Sequence, residues 1–382
     1  MTKIFLVAGE ASGDMLGAAL MRALRRASSD VDFAGVGGGE MTAEGLRSLF
    51  PLGDVAVMGL TPVLARLPLL ARRLQETVRA ILDEPPNCLV LIDAPDFTHR
   101  VARRVRAANP DIRIVDYVCP SVWAWRQGRA RKMRSYVDHV LAILPFEPAA
   151  LVRLGGPPCD YVGHPLIERI DEFARGDEDT PRDRLLVVLP GSREAEVRRM
   201  TPLYGVVAAL LQREFPLLEV AVPPTEALEA LVKTEIARWA KPPRLLRQSE
   251  KFAAFRHAGA ALATSGVVTL ELALAMTPMA VAYKVSTPES FLRPLVKLEN
   301  FALPNLILAR SAADRAVPEF FQGEASPEAL AATLAALLRG GAEREAQLSA
   351  FSTLRAKMLG SGSSPSAAEI VLSYARGGEK SR

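Results

Sequence analysis

The sequence predicts an α/β protein with two Rossmann-like domains, each built on a doubly wound parallel sheet. The first observation is a series of short apolar runs, such as Ile4–Ala8 and Cys88–Ile92, separated by helical patterns. Strands of a parallel sheet are buried on both faces, so their residues are apolar throughout rather than alternating. The second observation is that the pattern begins again at Leu185–Leu189, after a polar stretch from Asp171 to Arg184.

Further elements follow the same pattern along the chain. In the first half, apolar runs predict strands at Phe33–Val36, Ile112–Val118, Val140–Leu144 and Asp160–Gly163. In the second half, they predict strands at Leu218–Val222, Ala260–Ala263 and Met279–Tyr283. A Ser-Pro pair, which suits a cap and a first helical position, opens each of two amphipathic helices, Pro327–Leu338 and Pro365–Tyr374.

The 382 residues are enough for two domains. We predict an N-terminal domain over 1–165 and a C-terminal domain over 166–355, with a helix over 360–376 that packs back on the first domain and a flexible tail over 377–382. Two Rossmann-like halves joined in this way are expected to face each other across a cleft. Ligands of open α/β sheets bind at the carboxyl ends of the strands.

Composition argues against several classes of protein. The net charge of +4, from 47 basic and 43 acidic residues, gives no argument for nucleic-acid binding. The three cysteines contain no CxxC pair and the four histidines are scattered, so neither a disulfide framework nor a metal site is expected. The longest apolar stretch, Val267 to Tyr283, contains Glu271 and Pro278, which argues against a membrane span.

The loop GEASGD at 9–14 follows the first predicted strand and opens a helix. Small residues such as Ser12 and Gly13 let backbone N–H groups approach a ligand, and a helix N-terminus favours anionic or hydroxyl-rich groups. The alternative is an ordinary βα turn in which Asp14 caps the helix. The residues alone leave both interpretations open.

Two carboxylates, Asp93 and Asp96, follow the strand Cys88–Ile92. A carboxylate at the mouth of a sheet can act as general base toward an acceptor hydroxyl. The alternative is that Asp96 caps the next helix while Asp93 braces the turn. We favour a functional role for Asp93 because it lies directly at the strand end.

The segment PSVWAWR at 120–126 holds Trp123 and Trp125, with further basic residues as far as Arg134. Tryptophan rings stack on sugars and arginine binds phosphate. The alternative is a packed aromatic corner followed by a solvated basic helix, and the residues alone favour it slightly.

The second half offers phosphate-binding groups at its strand ends. Gly191 and Ser192 can present backbone and hydroxyl donors, and Arg193 can bind a diphosphate with its planar guanidinium. Ser265 and Gly266 precede a helix, where backbone N–H groups also suit a diphosphate. The sequence therefore predicts a diphosphate site in this half.

Two polar residues of the second half lie in apolar surroundings. Glu271 falls in an otherwise apolar helix and needs a partner, either the diol of a bound ribose or a core arginine. Asn305, in the string LPNL, is expected to cap a helix or to contact the same ligand.

A stretch near residue 66 has the spacing of an amphipathic helix. Its apolar residues recur at helical spacing as far as Leu74, and arginines lie between them. Pro68 should break or kink the helix. An apolar face with basic flanks suits an anionic membrane surface, although periodicity alone favours a face turned to the core. The apolar residues in question are Val63, Leu64, Leu67 and Leu70.

Taken together, these motifs resemble the bacterial lipid A disaccharide synthase family. Nine strings occur in the family's order and spacing over nearly the whole chain, and VAGEASGD together with PSVWAWR is highly specific. They are VAGEASGD at 7–14, AVMG at 56–59, IDAPDF at 92–97, PSVWAWR at 120–126, LPFE at 144–147, GHP at 163–165, LPGSR at 189–193, AEV at 195–197 and LPNL at 303–306.

The resemblance implies a GT-B fold and an inverting hexosyltransferase. The donor would be UDP-2,3-diacylglucosamine and the acceptor 2,3-diacylglucosamine 1-phosphate, known as lipid X. The products would be a β-1,6-linked disaccharide 1-phosphate and UDP, formed without a metal or another cofactor. The resemblance also implies a cytoplasmic enzyme held at the inner-membrane surface, with a homodimer as a further expectation.

Roles carried over from the family follow the matching positions. Asp93 would be the base on the acceptor 6-hydroxyl, Arg193 would contact the diphosphate, and Glu271 would hold the ribose. Asn305 would line the donor site, and the loop of Ser12, Gly13 and Asp14 would face donor or acceptor. The stretch over 63–70 would contact the membrane.

One departure from the family lies at Val267, where a hydroxyl residue is common, so only backbone contacts to phosphate are expected there. Two other functions stay open. One is a different GT-B enzyme on a UDP-sugar, such as an epimerase or a transferase with a soluble acceptor. The other is a non-catalytic nucleotide-sugar-binding protein, which the presence of Asp93, Arg193 and Glu271 disfavours.

Overall fold

The computed structural model describes residues 1–56, 66–173, 182–285, 300–309, 311–360 and 366–377. The chain divides into two compact units. Unit 1 consists of Met1–Pro165 and the segment that begins at Gly360, and unit 2 consists of Leu166–Leu359. Each unit is built on one six-stranded parallel sheet.

Unit 1 has its strands in the order β2-β1-β3-β4-β5-β6. All neighbours are parallel, and β3 is buried along its whole length, as the uninterrupted apolar runs predict. The strands are β1 Thr2–Ala8, β2 Val31–Val36, β3 Cys88–Ile92, β4 Arg113–Tyr117, β5 His139–Ala142 and β6 Cys159–Tyr161.

Helices connect these strands. The predicted break at Pro68 takes the form of a helix start, because Pro68 lies in the first turn of α3, where a missing N–H leaves no intrahelical bond unmade. The helices of this part are α1 Ala11–Ala27, α2 Gly39–Ala43, α3 Leu67–Asp83, α4 Pro95–Ala108, α5 Gly128–Met133 and α6 Glu147–Leu154.

Side chains of β1 point alternately into two separate cores. Phe5 and Val7 belong to one apolar cluster of unit 1, and Ile4 and Leu6 belong to another. The sheet therefore has helices packed on both faces, which is the doubly wound arrangement.

Unit 2 has its strands in the order β12-β11-β10-β7-β8-β9. This is the strand order of the dinucleotide-binding Rossmann fold, in which the first strand of the unit lies beside its fourth. The strands are β7 Arg182–Leu189, β8 Glu219–Val222, β9 Arg244–Leu245, β10 Ala258–Thr264, β11 Met279–Tyr283 and β12 Glu319–Phe321.

The helices of unit 2 surround its apolar core, in which Tyr204, Leu262 and Leu334 are fully buried. Ser326 caps α14 by accepting a hydrogen bond from the Ala329 N–H, as its Ser-Pro pair predicts. The helices are α7 Pro165–Glu168, α8 Ile170–Phe173, α9 Glu194–Glu214, α10 Glu229–Ile236, α11 Lys251–His257, α12 Val267–Leu274, α13 Leu303–Leu308, α14 Pro327–Arg339 and α15 Ala342–Leu359.

The last helix, α16 (Ala367–Ala375), packs on unit 1. Val371 lies in the same apolar cluster as Ile4, and the Tyr374 hydroxyl is 3.1 Å from His139 Nδ1. The predicted start at Pro365 was wrong for this helix, because Ser366 is the cap and accepts a hydrogen bond from the Glu369 N–H.

Candidate active site

In unit 1 the strand order brings together two loops that are far apart in the chain. β1 pairs with β2 on one side and with β3 on the other, so the connections after β1 and β3 diverge at this point. Ligands of doubly wound sheets bind where the connections diverge in this way. Ser12 follows β1 and Asp93 follows β3, and the Ser12 hydroxyl donates to Asp93 Oδ2 at 2.9 Å.

The backbone at Asp93 is strained. Asp93 and Ala94 both have left-handed φ angles, of 57° and 44°, which cost of order 1 kcal/mol or more at each non-glycine residue. Hydrogen bonds hold the turn: the Asp93 N–H donates to the Tyr117 carbonyl at 3.1 Å, and Thr98 Oγ1 donates to the Asp93 carbonyl at 2.9 Å. The half-buried carboxylate is thereby fixed at the end of the strand.

Two glycines allow this close approach. A Cβ on Gly9 would lie 2.3 Å from the Ala94 Cβ, and a Cβ on Gly13 would lie 3.1 Å from the Ile92 carbonyl oxygen. The small residues of the loop after β1 therefore make room for the turn at Asp93, in addition to any N–H groups that they expose to a ligand.

Asp14 has a structural role in the loop region that the sequence predicts to face donor or acceptor. Its buried carboxylate accepts hydrogen bonds from the N–H groups of Gly38, Glu40 and Met41, at 2.7, 2.9 and 3.1 Å. The Asp14 carboxylate therefore caps helix α2 and does not cap α1, the helix in which Asp14 itself lies. With three backbone donors bound, this carboxylate stabilises the loop after β2.

Unit 2 repeats the arrangement with different residues. β7 lies between β8 and β10, and Leu189 pairs with Ala263, so the loops after β7 and β10 start side by side. The first of these loops carries Gly191, whose φ of 122° favours glycine. Both predicted phosphate-binding segments of unit 2 therefore lie at the divergence point of its sheet.

A buried glutamate, Glu196, organises the loop after β7. Its carboxylate accepts from the Ser192 N–H at 3.1 Å and from Arg193 Nη1 at 3.1 Å. The Arg193 side chain is 65% exposed, so its guanidinium has donors directed to solvent. Sequence reasoning did not single out Glu196, although its position at i+3 from Arg193 would have indicated an ion pair.

The loop after β10 leads into the N-terminus of α12. The Ser265 hydroxyl donates to the Phe301 carbonyl at 2.8 Å, so it is already engaged within the protein. Gly266 is exposed, and a Cβ there would meet no atom within 4 Å. Val267 is 53% exposed, so the first turn of α12 presents its backbone to open space.

Glu271 has a protein partner, and that partner is a lysine rather than the core arginine that was the alternative to a ribose diol. Lys251 Nζ lies 2.5 Å from Glu271 Oε2, and both side chains are largely buried. Phe252 and Phe255 flank the ammonium, with ring centres 5.2 and 5.6 Å from it. The charge of Glu271 is therefore balanced within unit 2.

Asn305, which the sequence predicts to cap a helix or to contact the ligand, lies in the core of unit 2. Its amide Nδ2 donates to the Val317 carbonyl and to Glu319 Oε1, each at 2.8 Å, and its Oδ1 accepts from the Val317 N–H at 2.9 Å. Both amide protons are used and the residue is fully buried. The side chain fixes the segment before β12.

In each unit, the carboxylates at the strand ends and beside them are bound to protein groups of the same unit. Asp93 accepts from Ser12, Glu196 from Arg193, and Glu271 pairs with Lys251. Across the parts of the chain that are described, no three His, Cys, Asp or Glu side chains are grouped so that they could hold a metal ion.

The tryptophan segment follows β4 in unit 1. Trp123 Nε1 donates to Glu147 Oε1 at 3.1 Å, and its ring packs edge-on against Phe146. Trp125 stacks under the guanidinium of Arg126, 4.5 Å from the ring centre. Trp123 therefore has the packed role that the residues alone favour, while Trp125 positions an arginine.

Glu147 is a buried acid in the predicted string LPFE. Burial raises its pKa to about 7, against the opposing effect of hydrogen bonds from the Leu144 N–H and from Trp123. The carboxyl joins the start of α6 to the segment after β4. It was not among the expected site residues, since a sequence does not show which acids are buried.

The proposed membrane stretch is described only in part. Val63 and Leu64 lie outside the described residues. Leu67 is 46% exposed at the start of α3, whereas Leu70 packs against the apolar core of unit 1, which is the arrangement that periodicity favoured. Among the helices that the structure describes, none combines the length and apolarity needed to cross a membrane.

Comparison with solved structures identifies the fold. The glycotransferase of kitacinnamycin aligns with a TM-score of 0.58 at 14% identity, covering 97% of this chain and 98% of that one. The UDP-GlcNAc 2-epimerase from Neisseria meningitidis aligns with a TM-score of 0.53 at 11% identity, covering 93% and 98%. This likeness confirms the GT-B fold class.

The family follows from sequence comparison. The model of the lipid-A-disaccharide synthetase family matches residues 4–371. Lipid-A-disaccharide synthase from Nitrobacter winogradskyi is 48% identical, covering 98% of this chain and 96% of that protein. The synthase from Bradyrhizobium diazoefficiens is 47% identical, covering 99% and 98%. The chain belongs to the lipid-A-disaccharide synthetase family, whose members are glycosyltransferases, and the family resemblance is confirmed.

The raised pKa of Glu147 predicts a pH dependence of stability. The folded state keeps a proton that the unfolded chain releases between about pH 4.5 and pH 7, so the free energy of unfolding falls as the pH rises through this window. Glu147→Gln removes the titration. We expect the stability of the wild type relative to this variant to fall by up to about 3 kcal/mol between those limits.

Urea denaturation at several pH values measures this difference. Glu40→Gln, which alters an exposed carboxyl of the same unit, serves as the control and should leave the pH profile unchanged. Parallel profiles for the wild type and Glu147→Gln would show that Glu147 ionises normally.

Proposed function

We propose that the protein transfers 2,3-diacylglucosamine from UDP to the 6-hydroxyl of 2,3-diacylglucosamine 1-phosphate (lipid X). The acceptor oxygen bonds to the anomeric carbon of the donor as the bond to the UDP oxygen breaks, with inversion. The products are the β-1,6-linked disaccharide 1-phosphate and UDP. Family membership carries the reaction class, and the fixed carboxylate at the divergence point of the unit 1 sheet supports the mechanism.

Asp93 is proposed as the general base. As the acceptor oxygen attacks, one Asp93 oxygen takes the hydroxyl proton. Oδ1 is bonded to the Ala94 N–H at 2.8 Å and Oδ2 to the Ser12 hydroxyl at 2.9 Å, so the carboxylate is oriented before substrate binds. Oriented groups reduce the reorganisation that the transition state requires. Ser12 is a positioning residue in this proposal.

Unit 2 is proposed to bind UDP. Negative charge develops on the diphosphate as the sugar leaves, and the exposed Arg193 guanidinium and the N-terminus of α12 are suited to stabilise it. The backbone at Ser265, Gly266 and Val267 supplies the donors, because the Ser265 hydroxyl is already bonded. Glu271 is proposed to accept from the ribose diol through Oε1, while Oε2 stays paired with Lys251.

The acyl chains of both substrates make a membrane surface the natural place of reaction. We propose that the stretch over 63–70 contacts the cytoplasmic face of the inner membrane, with Leu67 as its described and exposed apolar residue. The exposed Arg66 and Arg72 nearby suit anionic lipid headgroups. A homodimer is also proposed, and family resemblance is its support.

Asp93→Asn tests the general base. The amide keeps the size of the side chain but cannot take the proton, so kcat is expected to fall by roughly 10²- to 10⁴-fold. The UDP affinity should stay near that of the wild type, because the diphosphate is proposed to bind unit 2. Asp111→Asn, an exposed change in the same unit, is the control. Wild-type turnover by Asp93→Asn would remove Asp93 from the chemistry.

Arg193→Ala tests the diphosphate contact. Loss of a charge-assisted hydrogen bond is expected to weaken UDP binding by roughly 10- to 100-fold in calorimetric titration. Arg198→Ala removes an exposed arginine one turn further along α9 and should leave the affinity unchanged. Equal UDP affinities for wild type and Arg193→Ala would contradict this assignment.

Leu64→Ser combined with Leu67→Ser tests the membrane contact. Recovery of the protein on phosphatidylglycerol vesicles is expected to fall roughly 10-fold, as lost apolar burial predicts, with an unchanged melting temperature. Leu217→Ser alters an exposed leucine of unit 2 and is the control. A double variant that unfolds would mean that these leucines belong to the core.

A further inference from the structure

A cavity of about 460 Å³ opens in unit 1 between α4 and α5. On α4 the lining residues recur at spacings of three and four, so they form one face of that helix. The cavity begins two residues beyond Asp93, at Pro95. The lining residues are Pro95, Asp96, His99, Arg100, Arg103, Arg126, Gly128, Arg129 and Lys132.

The lining is strongly cationic. Four arginines and one lysine face a single carboxylate, that of Asp96. Only Arg129 pairs with it, at 3.1 Å, and Asp96 is itself 84% exposed. Within the described chain, Arg100 and Lys132 form no ion pair with a carboxylate. Like charges gathered in a concavity raise each other's energy, and a bound anion relieves that repulsion.

The walls of the cavity are held by buried and aromatic groups. Arg103 lies over the Tyr136 ring, 4.9 Å from its centre, and donates to the Tyr136 hydroxyl at 3.3 Å. The same hydroxyl is 3.1 Å from His99 Nδ1, and His99 Nε2 is 3.0 Å from the buried Asp116. This network fixes one wall before any ligand binds.

Another residue that lines the cavity has a strained backbone. Arg126 has a left-handed φ of 54°, and its guanidinium lies over the Trp125 ring, 4.5 Å from the centre. Backbone strain at a ligand site is maintained by its surroundings and fixes the direction of a side chain. The arginine of the PSVWAWR string is thus aimed at the cavity that Arg100 and Lys132 also line.

We infer that this cavity binds a phosphate monoester. Several guanidinium groups around a concavity match the charge and the multiple acceptor oxygens of a phosphate dianion. This assignment rests on the proposed function, in which the phosphate monoester is the 1-phosphate of the acceptor. With the 1-phosphate bound here, the acceptor 6-hydroxyl is presented to Asp93. A lipid headgroup carries a similar phosphate. Proteins bind a layer of anionic headgroups with a flat basic surface, whereas this site is concave.

The test is a double variant of the full-length enzyme, Arg100→Gln with Lys132→Gln. Both side chains are exposed, so the fold should be retained. The matched control, Arg104→Gln with Arg131→Gln, removes two exposed charges from the same helices outside the cavity. Acceptors with and without the 1-phosphate are compared in neutral detergent micelles. The preference for the phosphorylated acceptor, as the ratio of kcat/KM values, is expected to fall roughly 10- to 100-fold.

Two further measurements separate the possible failures. Calorimetric titration with glucosamine 1-phosphate tests the cavity without turnover, and binding should weaken by a similar factor in the double variant but not in the control. If the wild type forms no disaccharide, the proposed function fails while this titration still decides the cavity. Sedimentation with phosphatidylglycerol and phosphatidylcholine vesicles tests headgroup binding. A double variant that loses only vesicle binding, or keeps its phosphate preference, overturns the inference.

Discussion

The order of the strands in each parallel sheet is the constraint on which the candidate ligand-binding loops of that unit depend. In a parallel sheet, the loops that follow the strands all lie at the same edge. Where the chain connections on the two sides of a point run in opposite directions, two neighbouring loops diverge and a ligand can enter between them. In unit 1 the reversal lies between β1 and β3, and in unit 2 between β7 and β10. Ser12, Asp93, Arg193 and Gly266 all follow these four strands.

Strain and charge at these strand ends are balanced locally. The left-handed turn at Asp93 and Ala94 persists because the N–H of Asp93 extends the pairing of β3 with β4, and because Gly9 leaves space for Ala94. In unit 2 the buried Glu196 ties the backbone of Ser192 to the guanidinium of Arg193. Contacts within the protein therefore fix both loops, which reduces the entropy that binding must overcome.

The fold was predictable because a parallel strand buried on both faces leaves a continuous apolar run. β1, β3 and β10 gave this pattern clearly. The two-residue strand β9 and the three-residue strand β12 were not predicted, because edge strands this short hold too few buried residues to form a run. Strand ends are also readable from sequence, so Asp93 and Arg193 could be chosen as candidates.

The roles of individual polar residues were less predictable, since they depend on partners distant in the chain. Asp14 binds backbone groups 24 to 27 residues away, and Asn305 binds Val317 and Glu319. A motif string does not separate such structural side chains from ligand-binding ones. The cationic cavity likewise requires α4 and α5 to be adjacent, and the basic residues of each helix alone resemble a solvated face.

The reaction assigned to this chain joins two acylated glucosamine units with release of UDP. It is tested by incubation of the purified protein with UDP-2,3-diacylglucosamine and lipid X, followed by mass spectrometry. We expect a tetraacyl disaccharide 1-phosphate formed in equal amount to UDP, and its loss in Asp93→Asn. Epimerised UDP-sugar, or UDP released without disaccharide, would exclude this reaction.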